Sequence, residues 1–393
     1  MRIAIFTDTF PPQTNGVAHS VLQTGKKLAQ RNHQVIIFAT SKTGKKYLDK
    51  DIPNLDIITL SSLPALVYPN ERITVPLGNI KKKLTEFNPE IIHVHTPFGA
   101  GWMAVAGAKN LDIPLVGTHH TFFDHYLKYI KIDFNWMKKF SWKFTVAFYN
   151  KCHVIISPTE SLSGSLSDAG VHKKLAVVSN SIDTNLFRPA PDELSVRKSK
   201  RTHNIPGKAV VYMGRLAYEK SIDKVIDAFA LAKSEIPDLS LILIGDGPVR
   251  KDLEKQTKKL GILDSVIFTG FLYKEDLVKA LWAGDVFITA SKSENMPLSL
   301  IEAMATGLPM VAVKEKGIAE MIIDGVNGYF AKTDDSNDIA EKLLLILQNN
   351  KKRESFAKES RSIALGYSEE VIMETLENLY KETIEAYNLK KTL

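Results

Sequence analysis

Short apolar runs rich in β-branched residues alternate with helical periodicity twice over along this chain, and that alternation restricts the fold more than any other feature. In the first half the runs are IAIFT (3–7), QVIIFAT (34–40), LDIITL (55–60), IIHVH (91–95), PLVGT (114–118), HVIIS (153–157) and LAVVS (175–179). In the second they are AVVYMG (209–214), LSLILIG (239–245), SVIFTG (265–270), DVFITA (285–290) and LPMVAV (308–313), with helical patterns near 221–234, 248–260, 274–283 and 297–306. Such continuous runs suit strands of a parallel sheet covered by helices on both faces. The chain therefore reads as α/β, with two doubly wound, Rossmann-like domains over 1–188 and 209–366. Residues 189–208 hold three prolines, a glycine and five basic residues without sustained periodicity, and read as a hinge. A helical tail follows from about 335, its end (367–393) crossing back to the first domain. Ligands of open α/β sheets bind at the carboxyl ends of the strands, here in a central cleft.

Charge separates the halves. Residues 1–190 carry 22 Lys and Arg against 13 Asp and Glu, whereas the remainder carries 29 against 31. The excess of +7 thus belongs to the first domain and points to an anionic partner there. The lone cysteine, Cys152, lies among apolar residues and reads as a buried, inert thiol in a reducing compartment. Four apolar residues between Arg2 and Asp8 are too few for a secretory leader, and no run approaches a bilayer span.

Three motifs carry chemistry. Gly245-Asp246-Gly247-Pro248 joins a strand to a helix, with Pro248 suited to the first helical position. It lacks the third glycine of a dinucleotide site, and the next strand ends in Thr269-Gly270 rather than an acid. In SENMPLSLIEAMATG (293–307), Pro297 starts a helix and frees the amides of Leu298, Ser299 and Leu300 for an anion such as a diphosphate. Glu294 precedes that helix and Glu302 lies five residues past Pro297, placing carboxylates at both ends of the turn to hold sugar hydroxyls. Arg215 and Lys220, in the loop GRLAYEK after the first strand of the second domain, suit neutralisation of a leaving diphosphate.

With these residues the whole chain resembles the retaining, nucleotide-sugar-dependent glycosyltransferases of the GT-B fold that carry a Glu-x7-Glu signature. The resemblance implies that Arg215 and Lys220 bind the diphosphate, Glu302 the ribose and Glu294 a donor-sugar hydroxyl. Residues Asn295, Met296, Pro297, Leu298 and Ser299 would hold sugar and phosphate through their backbone, and Gly16, Gly247 and Thr269 complete the implied donor site. It implies no metal and no cofactor beyond the nucleotide sugar. Asn295 replaces the family's usual glycine, and Ser179-Asn180-Ser181-Ile182-Asp183 replaces Pro-Asn-Gly-Val-Asp.

His120, followed by Thr121, matches the family's catalytic-site His-Thr pair, while His119 reads as structural. His93 and His95 share one face of their strand as packing polar groups, without a third ligand for a metal. Asp8 ends the first strand and supports either the acceptor or the glycine loop. Segment 121–151 holds six lysines. On a helical wheel Phe134, Met137, Phe140, Phe144, Ala147 and Phe148 form the core face, and Lys138, Lys139 and Lys143 stand opposite with Trp142, Val146 and Tyr149. Lysines mixed with aromatics suit an interfacial helix on anionic lipid. Within the family, HTFFDHYLKYI (120–130), with Asp124 and Tyr126, and HTPFGAG (95–101) resemble bacterial diacylglycerol glucosyltransferases. That implies transfer of glucose from UDP-glucose to a lipid acceptor by a cytoplasmic enzyme on the inner face of the plasma membrane. The alternatives are a soluble or polyprenyl-linked acceptor in polysaccharide synthesis, and a basic nucleic-acid-binding protein, for which no recognition motif is present.

Overall fold

In a computed structural model, which describes residues 1–13, 16–41, 52–64, 72–75, 80–120 and 135–392, the chain folds as two units. One comprises Met1–Ser179 with Met373–Leu393, the other Asn180–Ile372.

The first unit runs β1 (Arg2–Thr7), α1 (Gly16–Gln30), β2 (Gln34–Thr40), β3 (Leu55–Leu60), β4 (Ser62–Pro64), β5 (Arg72–Thr74), α2 (Ile80–Phe87), β6 (Ile91–Val94), α3 (Gly99–Leu111), β7 (Leu115–Thr118), α4 (Asn135–Tyr149), β8 (Val154–Ser157), α5 (Glu160–Asp168) and β9 (Lys174–Val177). Its main sheet is parallel throughout, in the order β3-β2-β1-β6-β7-β8-β9. Strand order reverses between β1 and β6, so the crevice suited to a ligand opens where Thr7-Asp8 and His95-Thr96 leave the sheet. Buried side chains of both strands, Phe6 and Val94 among them, pack under α3.

The second unit runs α6 (Glu193–Thr202), β10 (Ala209–Met213), α7 (Ile222–Glu235), β11 (Ser240–Ile244), α8 (Arg250–Lys259), β12 (Val266–Gly270), α9 (Lys274–Trp282), β13 (Val286–Thr289), α10 (Leu298–Ala305), β14 (Met310–Val313), β15 (Gly328–Ala331), α11 (Ser336–Leu347), α12 (Asn350–Leu365) and the start of α13 (Glu369–Thr392). Its parallel sheet has the order β12-β11-β10-β13-β14-β15, with an apolar core on each face. Here the order reverses between β10 and β13, and GRLAYEK and SENMP are the loops that leave those two strands.

Three expectations change. The stretch 189–208 holds a regular helix, α6, whose N-terminus is capped by the Asp192 carboxylate accepting from the Ser195 amide at 2.7 Å. The unit boundary falls at Ser179 rather than 188, because Ile182 and Phe187 are buried in the second core and Arg361 donates to the carbonyls of Thr184 and Phe187. Helix α8 begins at Arg250, two residues beyond Pro248, which sits in the preceding turn.

Candidate functional site

The β10–β13 switch point assembles the second unit's polar groups. Arg215 follows β10 and is exposed, paired with no acid among the described residues. Lys220 closes a 3-10 turn, and its ammonium lies 2.5 Å from Glu294 Oε1, both groups being about four-fifths buried. The two residues assigned separately to diphosphate and sugar are thus each other's partner. Tyr212 lies under them, its hydroxyl donating to the Arg215 carbonyl at 3.3 Å. Burial, then the nearby Glu294 and Glu219 charges, push its pKa up, so it stays a neutral donor.

Pro297 caps α10 rather than opening it. Leu300 N–H donates to the Pro297 carbonyl at 3.1 Å, so the free amides are those of Leu298 and Ser299 and not Leu300. Two free amides with the helix dipole behind them still form an anion-binding terminus. Glu302 sits on the same helix, and burial raises its carboxyl to about 8. The Glu294–Pro297 loop is held from two sides. Asn180 N–H donates to Met296 Sδ at 3.2 Å, which ties the Ser179–Asp183 variant motif to the signature. Gly317 packs so close that a Cβ there would lie 1.6 Å from the Asn295 carbonyl oxygen. Gly317 escapes a sequence reading because nothing in its neighbourhood marks that approach.

Gly247 has a structural task, since a Cβ there would meet the Leu216 carbonyl oxygen at 2.2 Å. The Gly-x-Gly turn is therefore a close-packed support for the Arg215 loop. Thr269 is not brought to this group. Its hydroxyl donates to the Gly270 carbonyl at 2.8 Å, and it lines a separate hollow of about 420 Å³ with His203, Asn204 and Asp264.

In the first unit Asp8 is buried at the end of β1. Its carboxylate accepts from Thr74 Oγ1 and Thr96 Oγ1, each at 2.6 Å, and from the Ala100 amide at 2.9 Å. Burial raises its pKa against the lowering effect of those bonds. Both oxygens are committed, so Asp8 braces the start of α3, where Phe98 offers no side-chain cap, instead of facing an acceptor. Gly16 opens α1 with empty space where a Cβ would stand.

Four histidines gather at the carboxyl ends of β6 and β7. His93 bonds Tyr380 OH and Thr118 Oγ1, both at 2.6 Å, and its ring lies 4.1 Å from that of His95. His95 Nδ1 and His120 Nε2 share a hydrogen bond of 2.9 Å, and their rings stack. Burial lowers His93 and His119 to about 3, His120 to about 4 and His95 well below its usual value, so all four are neutral at pH 7. Cys152 is buried, its thiol pushed up to about 12, and inert. Among the described residues no group of three or more His, Cys, Asp and Glu is arranged to hold a metal.

Asp124 and Tyr126 lie outside the described residues, as does the Lys138 side chain. On α4, Lys139 and Lys143 are exposed. The core face differs from the wheel. Thr145, Phe148 and Tyr149 are buried with Trp142 and Val146 packed beside them, while Ala147 is exposed. Positions 142, 145, 146 and 149 keep helical spacing, so the buried stripe is rotated from the expected one and takes the aromatics away from the lysines. Exposed aromatic surface comes instead from the start of α3, where Phe98 just before the helix and Trp102 within it are 47% and 40% exposed and lean on Phe144. No described helix is long and apolar enough to cross a membrane.

Comparison with known proteins agrees with this layout. The model of the family described as glycosyl transferases group 1 matches residues 196–363, and that of glycosyltransferase family 4 matches 14–186. The chain is 31% identical over 353 residues to an alpha-monoglucosyldiacylglycerol synthase of Streptococcus pneumoniae, covering 88% of this chain and 78% of that protein. It is 25% identical to the protein of the same name in Acholeplasma laidlawii, over 99% of each. Among solved structures, Anabaena HepE in complex with UDP superposes with a TM-score of 0.76 at 20% identity, over 97% of this chain and all of that one.

Proposed function

Since the chain belongs to the group 1 glycosyltransferases and has the GT-B fold, we propose that it is a retaining, metal-independent glucosyltransferase that moves glucose from UDP-glucose to diacylglycerol at an anionic membrane surface. The observation that carries the donor half is the convergence at the β10–β13 switch point of an unpaired Arg215, the Lys220–Glu294 pair and the free amides of α10. Cations and a helix N-terminus stabilise the charge that develops on a departing diphosphate. Glu302 accepts from the ribose hydroxyls, and the free oxygen of Glu294 accepts from the sugar. The bond between the anomeric carbon and the diphosphate oxygen breaks as the acceptor oxygen attacks from the same face. The acceptor proton passes to the leaving phosphate oxygen, and Arg215 and Lys220 balance the charge. His120, neutral at working pH, contributes a hydrogen bond rather than a charge.

The lipid half is supported by the two relatives' names, by the basic first half, and by Phe98 and Trp102 exposed at the start of α3 with Lys139 and Lys143 exposed on α4. Exposed aromatics with nearby lysines suit a monotopic contact with anionic lipid. Radiolabelled UDP-glucose supplied with diacylglycerol vesicles, with and without anionic lipid, tests the reading. A labelled glycolipid whose yield rises with anionic lipid supports it. Transfer only to a soluble sugar or polyprenyl phosphate, or only from another nucleotide sugar, refutes it.

A further inference from the structure

His95 directly follows β6 and is held on three sides. Its amide donates to the Phe6 carbonyl at 3.0 Å, its ring packs at a tilt against that of His93, and its Nδ1 bonds His120 Nε2. His93 is pinned in turn by Tyr380 and Thr118. The remaining nitrogen, His95 Nε2, is buried with no hydrogen-bond partner among the described residues.

That orphan decides where the shared proton sits. A neutral imidazole carries one N–H. If His120 Nε2–H donated, His95 would have to carry its hydrogen on Nε2, leaving a buried N–H without an acceptor. Among buried backbone groups an orphaned N–H is rarer than an under-satisfied acceptor, and the same preference applied to the imidazole leaves Nε2 bare. We infer that His95 is a positioning residue for His120: its Nδ1–H donates to His120 Nε2 and locks His120 as the tautomer whose Nδ1–H is left to donate to an oxygen of a bound substrate. A fixed N–H can stabilise developing negative charge without a proton being transferred. The tyrosine of α13 belongs to the same device, because Tyr380 holds the His93 ring against which His95 packs.

The kinetic part of the test rests on the glycosyltransferase reading, and the spectroscopic part does not. Nitrogen-15 spectra of the histidine-labelled protein report which ring nitrogen is protonated. The expected signature is a protonated Nδ1 and a bare Nε2 for His120. His95→Phe keeps the ring and the stack but removes the donor, and should return His120 to a mixture of tautomers. His95→Asn restores an amide N–H near the place of Nδ1, and should restore the signature. In turnover, His95→Phe should lower kcat by about 10–100-fold with the KM for nucleotide sugar nearly unchanged, as loss of an outer partner does, and His95→Asn should recover most of it. A His120 protonated at Nε2 in the unaltered protein overturns the inference whether or not the variants fold. So does equal impairment of the Phe and Asn variants. A protein with no transferase activity but the expected spectra would refute the function and leave the inference standing.

Discussion

Lys220 and Glu294 stand 74 positions apart in sequence, and their side chains meet at 2.5 Å across the β10–β13 switch point. The pair makes the diphosphate and sugar ends of the proposed donor site a single electrostatic unit. Lys220→Ala and Glu294→Gln should therefore be non-additive, with a coupling of about 1–3 kcal/mol in the free energy of UDP binding. Arg215 has no such partner among the described residues, so Arg215→Ala should lower kcat/KM by about 100-fold with no coupling to Glu294. Calorimetric titration of the double-mutant cycle, with turnover for Arg215, checks both. Strict additivity at positions 220 and 294 would contradict the shared unit.

Glu302 gives the site a proton signature. Burial raises its carboxyl to about 8, so at pH 7 the empty protein holds it mostly protonated. Ribose hydroxyls that donate to the carboxylate favour the ionised form, so UDP binding should release a proton at pH 7 and tighten as pH rises toward 8. Titrations in buffers of different ionisation enthalpy measure that release. Glu302→Gln should abolish it and weaken UDP by about 10–100-fold, the loss of hydrogen bonds to a charged group.

Acid should destabilise the first unit. His93, His95, His119 and His120 are all shifted down by burial, to about 3 or 4 where the shift is resolved to a value. An unfolded histidine takes up its proton near pH 6.5. Between that point and the folded values the unfolded chain binds more protons, so stability falls as pH falls, by up to about 1.4 kcal/mol per pH unit for each histidine. Asp8, whose folded pKa is raised by burial, works the other way between its unfolded and folded values, but it is one group against four. Urea midpoints at pH 7, 6 and 5 should decline, and His119→Phe should flatten the decline by about one proton. A constant midpoint would rule this out.

Membrane contact divides into two measurable parts. Reversing Lys139 and Lys143 to Glu should weaken binding to anionic vesicles by at least about 10-fold, since each lysine near such a surface contributes about 1 kcal/mol, and leave binding to neutral vesicles unaffected. Phe98→Ala with Trp102→Ala should weaken both. Vesicle co-sedimentation separates the cases, with UDP affinity as the check on folding.

Much of this was legible beforehand for a physical reason. Strands buried on both faces must be continuously apolar, so the sheets stand out in the sequence, whereas the strand orders, with β1 beside β6 and β10 beside β13, are pairings of distant segments that the runs do not encode. The short β15 escaped because Gly328 opens a run of only four residues, where a Cβ would strike the Met310 carbonyl at 2.2 Å. Helix α6 escaped because Ser199 is its one buried side chain, so it has no apolar stripe to detect. Its tertiary hold is ionic instead, through Lys200 and Asp285 at 2.8 Å. On α4, aromatics on several sides allowed a rotated face to look equally good. Arg215, Lys220, Glu294 and Glu302 announce themselves by type and spacing. That Lys220 grips Glu294, or that Tyr380 reaches His93, is a contact between distant segments that no local pattern encodes.

Tyr380 is fully buried, and Leu376 and Leu379 beside it are nearly so, all on the part of α13 that belongs to the first unit. Synthesis proceeds from the amino end, and domains generally fold as they emerge. Here the first unit cannot close its core on emergence, because its final helix is made after the entire second unit. The ribosome therefore delivers a finished second unit while the first still waits with an open seam. A fragment ending at Ser179 would keep that seam permanently, which makes it a poor choice for expressing the first unit by itself.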